Sequence, residues 1–150
     1  MQSYISRPLL IDGFKFDLRI YALVVSCDPL RILVYREGLV RLCTAPYSAP
    51  TESNIDCSYM HLTNYAVNKT NVDFVQNNED NEEGSSKRSL SWLWQWLESQ
   101  GHSKALVWRG ICDIIVKTLI STQPSLARAY NSCRIDKDNR SPFTCFEVSW

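Results

Sequence analysis

From Phe14 to Tyr21 the sequence alternates strictly. Phe14, Phe16, Leu18 and Ile20 are apolar or aromatic, and Lys15, Asp17, Arg19 and Tyr21 stand between them. A period of two sends successive side chains to opposite faces, which a strand accommodates and a helix does not. The stretch from Ile11 to Val25 therefore reads as one long strand with an apolar face and a charged face, entered through an Asp12-Gly13 turn. On the charged face a cation, an anion and a cation stand in a row, about 7 Å apart. Such a row suits an anionic ligand and a metal. A half-buried strand carrying a salt-bridge ladder would use the same residues, and the alternation alone leaves both readings open.

The next elements follow from turn chemistry. Asp28-Pro29 marks a turn, Arg31 to Arg36 a second strand, Glu37-Gly38 a tight turn and Leu39 to Cys43 a third strand. Three strands joined by short turns make an antiparallel meander. Pro46 and Pro50 place 45–53 in a loop, and 54–65 reads as a short helical or irregular segment. Residues 71–86, rich in Asn, Glu, Asp and Ser, read as a mobile acidic surface loop.

Helical spacing begins after that. Ser89 or Ser91 can cap a helix over Trp92 to Ser99, in which Trp92 and Trp96, and Leu93 and Leu97, share a face; Gly101 ends it. Ser103 caps a longer helix to about Thr122, with Trp108, Ile111, Cys112, Ile115 and Leu119 on its apolar face and Pro124 just beyond its end. Phe143 to Val148 returns to strand character. Strands, then helices, then a strand give the α+β class in one globular domain, for which 150 residues are sufficient.

Charge narrows the partners. The net charge is zero, which gives no global attraction for nucleic acid. Residues 1–50 nevertheless carry six Lys/Arg against four Asp/Glu, so the basic lean lies around the alternating strand and suits a phosphate or an acidic peptide. The six cysteines form no CxxC pair and only His61 and His102 are present, so a zinc site is not expected. No signal peptide is expected after Met1, and no apolar run reaches the roughly 18 residues of a membrane helix. Reduced cysteines in a cytosolic protein follow as the simplest expectation.

Three groups of residues can carry chemistry. Lys15, Asp17 and Arg19 share one strand face, and Arg41 can join it if the meander pairs in order. Lys87-Arg88 closes the acidic loop, where a lysine can swing over a bound anion and a solvated basic pair is equally ordinary. The segment His61-Leu62-Thr63-Asn64-Tyr65-Ala66-Val67-Asn68-Lys69 packs donors and acceptors outside any periodicity, as a ligand site or a network of Asx and Ser/Thr turns would.

These residues carry a specific resemblance. Gln2-Ser3-Tyr4-Ile5, Pro8 through Tyr21, Ser26 through Arg31, Glu37-Gly38-Leu39-Val40-Arg41 and His61-Leu62-Thr63-Asn64-Tyr65 together resemble the tubulin tyrosine ligase-like family. Gly84-Ser85-Ser86-Lys87-Arg88 and Cys145-Phe146-Glu147-Val148 fit its polyglutamylase branch, so that nearly the whole chain is covered, in order. The resemblance implies a partial ATP-grasp-like fold and an ATP-dependent ligase. Such an enzyme activates a carboxylate as an acyl phosphate, and the amine of free L-glutamate attacks it, extending the acidic C-terminal tails of tubulin. ATP and Mg²⁺ are the implied cofactors and tubulin and microtubules the implied partners. The implied location is the cytoplasm and cytoskeleton, with the cilium or basal body as a further place.

Carried over by matching position, the resemblance assigns Gln2, Ser3, Tyr4 and Ile5 to the hinge that holds adenine. Lys15 and Asp17 become nucleotide contacts, Thr63 and Asn64 a further ATP contact, and Arg41, Tyr65 and Lys87 the residues that hold the incoming glutamate. The paired cations Arg41 and Lys87 favour glutamate over glycine, which offers no side-chain carboxylate. By the same matching, the family's phosphate-covering half falls before Met1 and its metal ligands fall beyond Trp150. Glu147 matches no ligand position, and no residue of the chain is expected to bind metal. The expectation is therefore the central part of a tubulin polyglutamylase, inactive as this chain. The alternative is a non-catalytic module that binds tubulin or nucleotide.

Overall fold

The computed structural model describes residues 3–76, 82 and 84–133. Gln2, part of the acidic loop, and the expected strand at 143–148 lie outside the described residues. Four strands form one sheet in sequence order: β1 (Leu10–Ile11), β2 (Phe14–Cys27), β3 (Leu30–Leu42) and β4 (Lys87–Ser89). The helices are α1 (Ser58–His61), α2 (Tyr65–Asn68), α3 (Leu90–Ser99) and α4 (Lys104–Cys133). By internal contacts the chain divides into two units: residues 1–19 with 37–96, and residues 20–36 with 97–150.

The antiparallel meander followed by helices is as the sequence implies, but its joints differ. Asp12 and Gly13 take positive φ of 53° and 83°, the two left-handed positions of a tight two-residue hairpin, and pair Ile11 with Phe14. The expected Glu37-Gly38 turn is absent, and β3 runs through it as a single strand. Glu37 is used elsewhere. Its Oε1 accepts from the N–H groups of Gly38 and Ser91, each at 3.1 Å, and its Oε2 accepts from the Ser91 hydroxyl. The carboxylate thus sits at the N-terminus of α3, where the helix dipole favours an anion.

Lys87-Arg88 is a strand and not a loose basic pair. β4 pairs with β3 in the register Leu39↔Ser89, Val40↔Arg88 and Arg41↔Lys87. The end of the acidic loop is tied down with it. Ser86 N–H donates to Val75 O at 3.0 Å, Ser86 Oγ accepts from Val75 N–H at 3.1 Å, and Leu42 N–H donates to Ser86 O at 3.0 Å. The C-terminal end of the expected acidic loop is thus hydrogen-bonded to β3 and to Val75.

In the first unit Ile11, Val40, Leu90 and Leu93 are almost fully buried. Burial of each such side chain contributes about 1.5–3 kcal/mol. Of the two expected caps for α3, Ser89 serves: its Oγ accepts from Trp92 N–H at 3.0 Å. Trp92 and Trp96 stack with centroids 6.4 Å apart, as their four-residue spacing requires.

In the second unit Gly101, at φ 79°, closes α3. Gly101 N–H donates to Glu98 O and His102 N–H to Leu97 O, the paired bonds of a Schellman ending. The apolar positions expected on α4, Trp108, Ile111, Cys112, Ile115 and Leu119, are all half-buried, as are Val107, Gln123, Ala127 and Tyr130. Its end is corrected, because α4 continues past Thr122 to Cys133 with Pro124 inside it. Proline removes one rung of the ladder. The hydroxyls of Ser121 and Thr122 turn back onto the Thr118 and Leu119 carbonyls just before it, and Gln123 anchors the turn by donating to Cys27 O at 2.8 Å. Among the described residues, no helix is long and apolar enough to cross a membrane.

One prediction arises from the Glu37 contact. Burial pushes its carboxyl up, but the hydrogen bonds from the Ser91 hydroxyl and from nearby backbone N–H groups outweigh this and hold it below its ordinary 4.5. The folded state then binds fewer protons than the unfolded one. The stabilisation is present above pH 4.5 and fades as pH falls through the lower folded value. Acid unfolding of Glu37→Gln, followed by circular dichroism, should be less steep over that window than in the unaltered chain.

Candidate functional site

All the placed candidates lie in the first unit, on and beside the charged face of the sheet, and they fall into two clusters. The first is built on the β3–β4 register. Because Arg41 stands directly opposite Lys87, two cations share a face at strand-pair distance. Like charges so placed repel, and each has a neighbour that offsets this. Arg41 makes a two-pronged ion pair with Asp17 of β2, through Nε to Oδ1 at 2.9 Å and through Nη2 to Oδ2. Lys87 lays its ammonium over the Tyr65 ring, 3.5 Å from the centroid. Phe74 meets Tyr65 edge-on at 5.8 Å and fixes the ring. Arg41, Thr63, Tyr65 and Lys87 line one narrow cleft of about 10 Å³, room for one water-sized group.

The second cluster surrounds Lys15. Its ammonium donates to the His61 carbonyl at 2.9 Å and lies 4.2 Å from the centroid of the Tyr4 ring. The Tyr4 hydroxyl is 2.8 Å from His61 Nδ1. Ser3, Tyr4 and Ile5 are exposed beside it, outside the sheet. Asn64 is also exposed. Its carbonyl takes the first N–H groups of α2, while its side chain makes no capping bond.

The segment 61–69 is held by Asn68, which sequence reasoning left among the general polar residues. Asn68 is buried to 1% exposure. Its Oδ1 accepts from Thr44 N–H at 3.0 Å and from the Thr44 hydroxyl at 2.9 Å, and its Nδ2 donates to Leu62 O at 2.7 Å and Asn64 O at 3.1 Å. One amide thus ties Thr63, Asn64 and Tyr65 to the end of β3. The signal available in the sequence was the density of Asn and Thr. It could not say which of them faced inward.

A further cavity lies in the same unit. About 400 Å³ in volume, it is lined by Asp12, Phe14, Thr44, Ser86 and Arg88 among others. Arg88 is 5% exposed. It stacks on Trp92 at 4.2 Å and reaches Asp12 at 3.4 Å, and its Nη1 has no hydrogen-bond partner. Cys43, on the same cavity, is no nucleophile at neutral pH: burial pushes its thiol up to about 11 despite the nearby Lys15 charge.

A divalent cation needs converging oxygen or nitrogen ligands. Among the described residues, no three His, Cys, Asp or Glu side chains converge in that way. Three cations, Lys15, Arg41 and Lys87, lie in the two clusters, which suits an anion.

Comparison with known proteins identifies the family. The sequence model described as the tubulin-tyrosine ligase family matches residues 1–148. Tubulin polyglutamylase TTLL7 of Homo sapiens is 47% identical over 148 residues, which is 99% of this chain and 16% of that protein. Tubulin polyglutamylase TTLL13 of Homo sapiens is 50% identical over 147 residues, 98% of this chain and 18% of that protein. Tubulin polyglutamylase TTLL6 of Mus musculus is 48% identical over 147 residues, 98% of this chain and 17% of that protein. The chain spans about a sixth of the length of these curated relatives. With one family matched along almost every residue and relatives near half identical across the same span, the chain belongs to the tubulin-tyrosine ligase family.

Proposed function

We propose that this chain forms the nucleotide- and glutamate-holding wall of an ATP-dependent tubulin polyglutamylase with an ATP-grasp-like fold. The observation that carries the reading is the register Arg41↔Lys87, which sets two cations side by side over one cleft. A glutamate brings two carboxylates, and two cations at this spacing give each a partner; glycine would leave one cation unused. The cleft as it stands admits only a water-sized group, so it widens as the amino acid enters. Lys15, with Tyr4 beside it, takes the nucleotide side: the ammonium faces phosphate charge and the exposed ring offers a stacking surface for the base.

The chemistry follows from the family's reaction class. A tubulin-tail carboxylate oxygen attacks the terminal phosphorus of ATP, and ADP departs with the electron pair of the broken P–O bond. The glutamate amine then attacks the acyl carbon, phosphate leaves, and the amine loses a proton. In these steps the residues of this chain orient and neutralise charge. Arg41 and Lys87 hold the carboxylates of the amino acid, and Lys15 offsets phosphate charge. Action on tubulin places the protein at microtubules in the cytoplasm, with cilia and basal bodies as further sites.

The test is ATP-dependent incorporation of labelled glutamate into tubulin, by this chain alone and by a longer protein that carries it. Incorporation by the longer protein, and none by the chain alone, is expected. Robust turnover by the chain alone would overturn the fragment reading, and transfer of glycine in place of glutamate would overturn the substrate. Binding of ATP or tubulin without turnover in either form would favour a non-catalytic module.

A further inference from the structure

We infer that His61 is the positioning residue of the nucleotide side, holding Tyr4 over Lys15 through an imidazole fixed in one tautomer; this rests on the nucleotide reading above. His61 is only 5% exposed, yet no catalytic or ligand role falls on it. Its Nε2 lies 3.0 Å from the Asn54 carbonyl. A carbonyl only accepts, so Nε2 carries the proton. In the neutral imidazole Nδ1 is then a bare acceptor, and the Tyr4 hydroxyl at 2.8 Å donates to it. The carbonyl of the same residue receives the Lys15 ammonium at 2.9 Å. One buried residue thus fixes the aromatic and the cationic half of the cluster, by its ring and by its backbone.

The surroundings explain why such a device is needed. Tyr4 is 43% exposed and Ile5 68%, and their segment lies outside the sheet. Packing cannot hold it; side-chain hooks do. The Tyr47 hydroxyl donates to Ser6 O at 2.8 Å, and the rings of Tyr4 and Tyr47 both meet the imidazole edge-on, at 5.8 and 5.9 Å. The His61 hook lies at the residue whose ring covers Lys15.

The experiment combines AMP-PNP binding by calorimetry with ¹⁵N chemical shifts of the imidazole. Tyr4→Phe keeps the ring and removes the donor, and should weaken AMP-PNP binding about three- to tenfold, the range of one hydrogen bond. His61→Leu should weaken it at least as much, while in the longer protein that carries the chain glutamate KM changes less than twofold. His61→Asn, whose amide oxygen stands near the Nδ1 position, should recover most of the loss. Because both changes break one contact, Tyr4→Phe in the His61→Leu background should add little. Additive losses, or unchanged binding in Tyr4→Phe, overturn the inference; that exposed-site variant keeps the test open if His61→Leu does not fold. The nitrogen shifts decide independently of nucleotide. An Nε2–H tautomer whose Nδ1 signal moves in Tyr4→Phe supports the inference, and an Nδ1–H tautomer sinks it. An unaltered protein that keeps the tautomer but binds no AMP-PNP sinks the nucleotide reading instead.

Discussion

Asn68→Ala should lower the unfolding free energy by about 3 kcal/mol or more, read from urea melts of the unaltered and altered protein. The side chain is 1% exposed and makes four hydrogen bonds. Truncation removes all four of these bonds at a site closed to water, at about 0.5–1.5 kcal/mol for each bond. Asn68→Asp isolates one half of the network. Its oxygens can still accept from Thr44, but no side chain donates to Leu62 O, Asn64 O keeps only its backbone donors, and a carboxylate faces two carbonyls. It should be destabilised at least as much as the alanine variant. A loss under 1 kcal/mol in both would show that the segment 61–69 is held by something else. Because Thr63, Asn64 and Tyr65 hang from this amide, binding on both clusters should weaken before the protein unfolds.

The second large effect is expected at Arg41. Arg41→Lys keeps the charge but loses the planar fork that grips Asp17. In the incorporation assay glutamate KM should rise about tenfold to a hundredfold, the equivalent of a charge-assisted hydrogen bond of about 1.5–3 kcal/mol. Lys87→Met should act in the same direction, with KM for ATP altered far less in both. Asp17 sharpens the test. Its match to the family makes it a nucleotide contact, while its carboxylate here is engaged with Arg41 in the amino-acid cluster. If its main work is to aim Arg41, Asp17→Asn raises KM for glutamate more than KM for ATP. The reverse order would return Asp17 to the nucleotide alone.

Local periodicity made the long strands legible. The Phe14–Tyr21 alternation is a two-residue signal within one strand, and β2 follows it. The same holds for the paired tryptophans of α3 and the half-buried stripe of α4. What escaped was set by partners far along the chain. Glu-Gly reads as a turn by itself; here Glu37 is drawn to Ser91, 54 residues on, and the strand continues. β4 is three residues long and exists because β3 offers it an edge. Pro124 looks like a helix end, yet the helix passes through it, with Gln123 beside it anchored to the Cys27 carbonyl 96 residues away. The site shows the same division. Family matching named Arg41, Tyr65 and Lys87, and the register brings them to one cleft. It assigned nothing to His61, whose contact with Tyr4 spans 57 residues.

Lys15 and Lys87 each rest on a tyrosine ring, at 4.2 and 3.5 Å. A free lysine side chain has about 2 kcal/mol of rotamer entropy to lose when it is fixed on a ligand. Here much of that freedom is gone once the chain has folded, so an arriving anion meets cations that are already restrained. Replacing Tyr4 or Tyr65 by a residue without a ring should therefore show in calorimetry first as a less favourable binding entropy.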